Sequence, residues 1–331
     1  MFVTRTLGCW TGAALLACSL ALPAAADGLS RFEEAIKQAP AGSFAYKSGK
    51  SLGDNGFALE GVTLTPPPDA TGGAKAEPIA IKRISVEDFD FAAVDKNTPP
   101  NFVKMRIEGI AIGPKPADGV DLKEMTGLDK VLADFQLDYR VDPERKTMNL
   151  NRLELDLNGL ARLELSMVLD GVNPEAVDNA ANDATLRTAT LVYDDRSLLG
   201  KALPAAAKMQ GGEPDSLIQV AKAGIDGMRT GQGPAALAVL DALSSYVEDY
   251  KQPKGALKIT LTPTAKTSVS SLGDIKDPEE AIKSLGLVVS YPGTRAQAPA
   301  PAKKSDAAAP SPADAAAAAA AAAVAAGAAK K

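Results

Sequence analysis

Histidine is absent from this chain of 331 residues, and its two cysteines and one tryptophan (Cys9, Cys18 and Trp10) all fall within the first 26. That stretch reads as a removable leader, so the mature chain has no imidazole, thiol or indole. Disulfides are excluded even in a compartment that would permit them. So are zinc and haem sites built on His or Cys, and catalysis by His-based triads or Cys nucleophiles. Oxygen ligation of hard cations and Ser, Lys or carboxylate chemistry stay open.

A basic excess is missing too. Removing Arg5 with the leader moves the formal net charge from −5 to −6. Nucleic-acid binding needs a basic footprint, which this balance does not supply. It also predicts little attraction to anionic lipid surfaces and at most peripheral membrane contact. No phosphate-binding loop, dinucleotide fingerprint, nucleophile elbow, zinc motif or calcium loop occurs.

The leader itself is Arg5, then the apolar stretch Gly12 to Leu22, then Pro23-Ala24-Ala25-Ala26 before Asp27. Charge, apolar run and small-residue pair in that order predict an export signal, residues 1–26, and a periplasmic mature protein. The apolar run is shorter than the roughly 20 residues a bilayer demands. Leu15-Leu16-Ala17-Cys18 offers a second reading, a lipoprotein with Cys18 at its N-terminus.

Beyond the leader, Leu29, Phe32 and Ile36 share one face of a predicted short helix, Leu29 to Gln38. From 43 to 171 the period changes to two, predicting a β-meander. Leu153-Glu154-Leu155-Asp156-Leu157 is the clearest strand, and Asp142 to Lys146 and Asn158-Gly159 are turns. Phe89-Asp90-Phe91 belongs to the same alternation. The segments Leu59-Glu60-Gly61-Val62 and Ile107-Glu108-Gly109-Ile110 both flip their apolar parity across glycine. A β-bulge accounts for such a flip. Two copies are compatible with a repeated unit or with coincidence.

Helices are predicted at Asp121 to Leu132, Asn173 to Asn182 and Leu198 to Met209. Two longer ones, Pro214 to Arg229 and Pro234 to Tyr250, each open on proline between glycines and should form a helical hairpin. The helical insertion covers 197–252, and closing strands occupy 255–291. Residues 27–293 thus read as one α+β domain, a mostly antiparallel, twisted β-sheet with an inserted helical hairpin. Residues 294–331 read as a disordered tail rich in Ala, Pro and Lys.

Three polar groupings invite chemistry. Asp194, Asp195 and Ser197 suit a cation or a serine nucleophile, but acidic and hydroxyl residues before a helix also cap it. Glu154, Asp156 and Glu164 with Arg152 and Arg162 suit a hydrolytic carboxylate pair or a charge-paired outer sheet face. Ser43 or Ser48 with Lys47 or Lys50 lacks any fixed geometry. None is assigned as catalytic, cofactor-binding or metal-ligating. The long apolar face is either a closed core or a groove for a lipid or a partner.

Strand–glycine–strand units around Gly61, Gly109 and Gly159, the segment Leu191 to Leu198, and Leu257-Lys258-Ile259-Thr260-Leu261-Thr262-Pro263 add to this. Together, over residues 43 to 291, they resemble bacterial periplasmic proteins with AsmA-like or YdgA-like β-rich repeats. That resemblance implies envelope maintenance or lipid movement. The chain departs from AsmA proper in being short and in lacking a retained N-terminal anchor.

The expectation is therefore a non-enzymatic envelope protein that binds a lipid or an envelope protein through its apolar sheet face. The alternatives are a scaffold acting through its tail and a Ser or carboxylate hydrolase.

Overall fold

The computed structural model describes residues 27–37, 42–66, 78–96, 98–113, 123, 127–173, 184–209, 211–274 and 278–295. The leader and residues 296–331 lie outside them, as does nearly all of the helix expected at Asn173 to Asn182.

Among the described residues twelve strands form one antiparallel sheet. They are β1 (Phe44–Ala45), β2 (Ser48–Ser51), β3 (Phe57–Leu64), β4 (Ile79–Phe89), β5 (Phe102–Ile112), β6 (Val131–Asp142), β7 (Thr147–Leu157), β8 (Ala161–Asp170), β9 (Thr185–Asp195), β10 (Leu257–Leu261), β11 (Thr267–Ser268) and β12 (Val288–Ser290). From β3 to β10 each strand pairs with its predecessor, β12 closes on β10, and β1 and β2 share the free edge of β3. Tight turns explain the order: Gly159 (φ +76°) turns β7 into β8, and Lys146 (φ +51°) turns β6 into β7.

Helices α1 (Gly28–Ile36) and α2 (Phe91–Asp95) lie toward the N-terminal end of the chain, and α3 (Leu198–Met209), α4 (Pro214–Gly227) and α5 (Pro234–Glu248) occur between β9 and β10. A 3₁₀ turn (Val269–Asp274) and α6 (Pro278–Leu285) precede β12. The architecture is thus α+β with a large antiparallel sheet. Among the described residues no helix is long and apolar enough to cross a membrane.

Four corrections follow. The alternation Phe89-Asp90-Phe91 is not one strand: β4 ends at Phe89, and Asp90 caps α2 by accepting the Ala93 amide at 3.0 Å. Residues 127–130 are not helical and Val131-Leu132 open β6, because their apolar partners lie across in β5. Thr294 and Arg295 belong to the body rather than the tail. The Thr294 amide donates to the Tyr291 carbonyl at 3.0 Å, and Arg295 pairs with Glu248 and Asp249. The last concerns Gly61, where β3 and β4 pass in unbroken register although its φ is +62°. Both strands change parity there together, at Leu59/Val62 and Ile84/Ile81. Gly109 (φ +64°) does sit at a register shift, against β6.

Shifts recur along the sheet, and each has the same effect. An extra residue sits at Glu87 in β4, at Asn151 in β7 and at Arg187 in β9. The apolar pairs Val86/Phe89, Leu150/Leu153 and Leu186/Ala189 are therefore three residues apart, not two, yet stay on one face. Bulges bend a strand and increase its twist.

Candidate functional site

Register places the apolar residues in rows that run across the sheet. One row passes through Phe57, Val86, Met105, Leu137, Leu153, Leu165, Leu191, Ile259 and Val289, each opposite the next. A second links Leu59, Ile84, Ile107, Phe135, Leu155, Leu163, Tyr193 and Leu257. A third runs from Phe89 through Val103, Tyr139, Leu150, Met167 and Ala189 to Leu261. With neighbouring strands about 4.8 Å apart, the first row is roughly 40 Å long.

Among the described residues this band is covered at its ends and along its margins, where Val103 and Leu150 of the third row are buried. At one end Phe57 and Leu59 are buried with Phe91, against Leu29 and Phe32 of α1. At the other, Ala242 and Tyr246 of α5 pack on Leu257 and Tyr291, with Tyr193, Leu199 and Val289 around them. A third cluster joins Leu198 of α3 to Val131, Leu160 and Ala161. Between the ends, Phe135, Leu137, Leu153, Leu155, Leu165, Met167 and Leu191 are only partly buried, and Leu163 is 37% exposed. Burial of apolar area drives folding at about 25 cal/mol per Å². A contiguous stretch left half covered is thus an unusual use of sequence, and such surfaces mark binding sites.

The reverse face is polar and paired with itself. Arg162 donates to Glu154 and to Glu164, both at 2.8 Å, and Arg152 lies within 3.7 Å of the same two carboxylates. Arg196 grips Asp156 with two 3.0 Å bonds. Carboxylates engaged by arginine in this way hold a sheet face together. A cleft on this face, lined by Arg162, Glu164, Val192, Asp194 and Ala256, opens beside the same ion pairs.

Asp195 performs the capping role. It is 3% exposed, and its carboxylate accepts the Leu198 amide at 2.7 Å and the Leu199 amide at 3.2 Å. Burial raises its pKa, against the pull of these amides. Ser197 Oγ donates to the Gly159 carbonyl at 2.9 Å, and Asp194 faces Arg196. The cluster is committed to the β9–α3 corner. Ser48, Lys47 and Lys50 are exposed along the edge formed by β1 and β2, with Ser43 just before it. Among the described residues no group of three or more His, Cys, Asp or Glu is placed to hold a metal.

Tyrosines finish the C-terminal end of the band. Tyr193 and Tyr246 meet edge to face with ring centroids 6.2 Å apart, and Tyr246 and Tyr291 at 5.3 Å. Tyr291 Oη donates to Asp249 at 2.9 Å and accepts the Lys254 amide at 2.8 Å. The hydroxyls of Tyr193 and Tyr246 are closed to solvent and face each other. Burial pushes both phenols well above their ordinary pKa, helped at Tyr193 by Asp195 and at Tyr246 by the Tyr193 phenol and then Asp195. They stay neutral donors at any physiological pH. Nothing in the sequence singles them out, since the pairing of β9 with α5 is a tertiary fact.

Residues 154–292 match a family model described as "Uncharacterized protein". The match starts within β7 and runs through β12, so it contains the tyrosine end of the band and the helices beside it. No curated protein matches the chain.

Proposed function

We propose that this is a non-enzymatic envelope protein that holds an acyl lipid along the half-covered middle of its apolar sheet face. The observation that carries the reading is the row Leu137, Leu153, Leu165 and Leu191, which is apolar, continuous and only partly buried. A hydrocarbon chain laid across these strands removes that surface from water with no demand for polar partners. The carboxylate and serine groupings are occupied by arginines and helix amides, which argues for binding over catalysis.

In this reading residues 1–26 are an export signal removed in the periplasm, and 27–293 act as one domain. Helices α4 and α5 serve as a helical hairpin at the C-terminal end of the band. The resemblance to AsmA-like and YdgA-like proteins points to the same envelope setting. Gentle purification of the mature protein, followed by organic extraction and mass spectrometry, tests the reading. Stoichiometric acyl lipid is the expected result. A lipid-free protein that fails to take up a neutral hydrophobic dye would refute it.

A further inference from the structure

The chain leaves its folded body on the side of the apolar band. The Arg295 amide donates to Ser245 Oγ of α5 at 2.9 Å, and the Arg295 guanidinium pairs with Glu248 and Asp249. Helix α5 is the element that packs Ala242 and Tyr246 on Leu257, at the C-terminal end of the band. The sequence then runs on through residues 296–331. Within it, Ala315 to Ala326 is uncharged and consists of alanine with a single valine, Val324. Around that run Lys303, Lys304, Lys330 and Lys331 outnumber Asp306 and Asp314, a balance opposite in sign to that of the acidic body.

Reach and length both fit the band. From β12 to Leu163 in β8 is three strand spacings, about 15 Å. Residues 296–314 span up to about 60 Å when extended. The open part of the second row, Ile107, Phe135, Leu155 and Leu163, also covers three spacings, about 15 Å. In helical form Ala315 to Ala326 is about 18 Å long, and alanine favours that form more than any other residue. A methyl side chain removes little area from water, so each contact is weak. Tethering offsets the weakness: a nearby linked segment is at about millimolar effective concentration, so a millimolar affinity keeps it seated about half the time.

We propose that residues 315–326 lie on the middle of the band, over Phe135, Leu155 and Leu163, and cover it while no ligand is bound. An acyl chain then binds by displacing the segment, a step that rests on the lipid-binding reading given above. A weak, tethered cover leaves the band open to a ligand while shielding it from other apolar surfaces.

The mature chain has no cysteine of its own, so paired cysteines report the position of the segment. One variant of the mature protein carries Ala320→Cys with Leu163→Cys. The other carries Ala320→Cys with Lys258→Cys. Lys258 is exposed, lies on the reverse face in line with Val192 and Glu164, and is nearer to β12 than Leu163 is. With a short bismaleimide, the Leu163 pair should link within one chain at least about fivefold faster than the Lys258 pair, because tethering alone would favour the nearer site. Equal rates, or a faster Lys258 pair, overturn the proposal. Adding Ala318→Asp and Ala322→Asp should bring the Leu163 pair down to the rate of the Lys258 pair, and a rate that does not fall overturns it as well. Monomyristoylglycerol should slow the Leu163 pair severalfold and leave the Lys258 pair unchanged. If the Leu163 pair links fast and the lipid does not slow it, the segment covers the band and the lipid-binding reading alone fails.

Discussion

The backbone amide of Gly109 donates to the carboxylate of Asp134 across the β5–β6 register shift, at 2.7 Å. Gly109 has φ +64°, and a Cβ built there would lie 2.8 Å from Cβ of Lys82. Gly109→Ala should cost about 2–4 kcal/mol, from left-handed strain plus a clash that no flexible chain end can relieve. Gly159→Ala, at φ +76° with open space around it, should cost only about 1–2 kcal/mol. Urea unfolding of both variants checks the difference. Equal losses would mean that the contact with Lys82 relaxes.

Arg229 and Asp241 form a buried pair at 2.7 Å, with side-chain exposures of 6% and 12%. Arg229→Met leaves the carboxylate of Asp241 in a nearly dry site and should cost about 3–5 kcal/mol. Adding Asp241→Leu should recover most of that loss. Thermal melts of the two variants decide, and failure of the second substitution to rescue would assign the cost to packing alone.

Asp195 supplies a pH test. Its folded-state pKa is raised above the ordinary 3.8, chiefly by burial. Its charge is thus more costly folded than unfolded. The contribution to stability is complete below the unfolded pKa, falls as pH rises through the folded value, and is flat above it. Asp195→Asn keeps an acceptor for the amides of Leu198 and Leu199 and removes the titration. The stability of wild type minus that of the variant should therefore decrease from pH 3 toward neutrality, as read by urea midpoints. A difference that rises with pH would reverse the assignment. Asp195→Ala loses the cap and should cost about 1–2 kcal/mol at every pH.

The band separates stability from binding. Leu59 is fully buried, and Leu59→Ala should cost about 2–5 kcal/mol. Leu163 is 37% exposed, so Leu163→Asp should cost about 1 kcal/mol or less while reducing uptake of Nile red severalfold. Dye titration alongside thermal melts distinguishes the two effects. Full dye binding by Leu163→Asp would place the ligand elsewhere.

Period-two patterning made the central strands legible, because one face of each must be apolar. Parity flips at Gly61 and Gly109 were visible because glycine marks them. Those at Glu87, Asn151 and Arg187 were not, since an ordinary polar residue occupies the extra position. Strands β1 and β2 carry no sequence signal: Ser48-Gly49-Lys50-Ser51 has no apolar face, and pairs with β3 through its backbone. Helix α2 was hidden because Phe89 and Phe91 flank an aspartate that alternation reads as a strand residue but that in fact caps. At the candidate site, the apolar residues could be named from sequence, but not their alignment into rows. Row alignment depends on the register between strands, and the Tyr193–Tyr246 meeting on residues 53 positions apart in the chain.

The neighbour-to-neighbour strand order has a kinetic consequence. From β3 to β9 every new strand can zip onto the one just formed, across tight turns at β6–β7 and β7–β8 and longer connections elsewhere. Such a chain has low contact order for a β-rich protein, and so is expected to fold quickly for its class and in sequence from its amino end. The growing sheet would always expose a single unpaired rim. The late arrival of β10 and β12 after α3–α5 would then be the slow step, because it spans the longest detour in the chain.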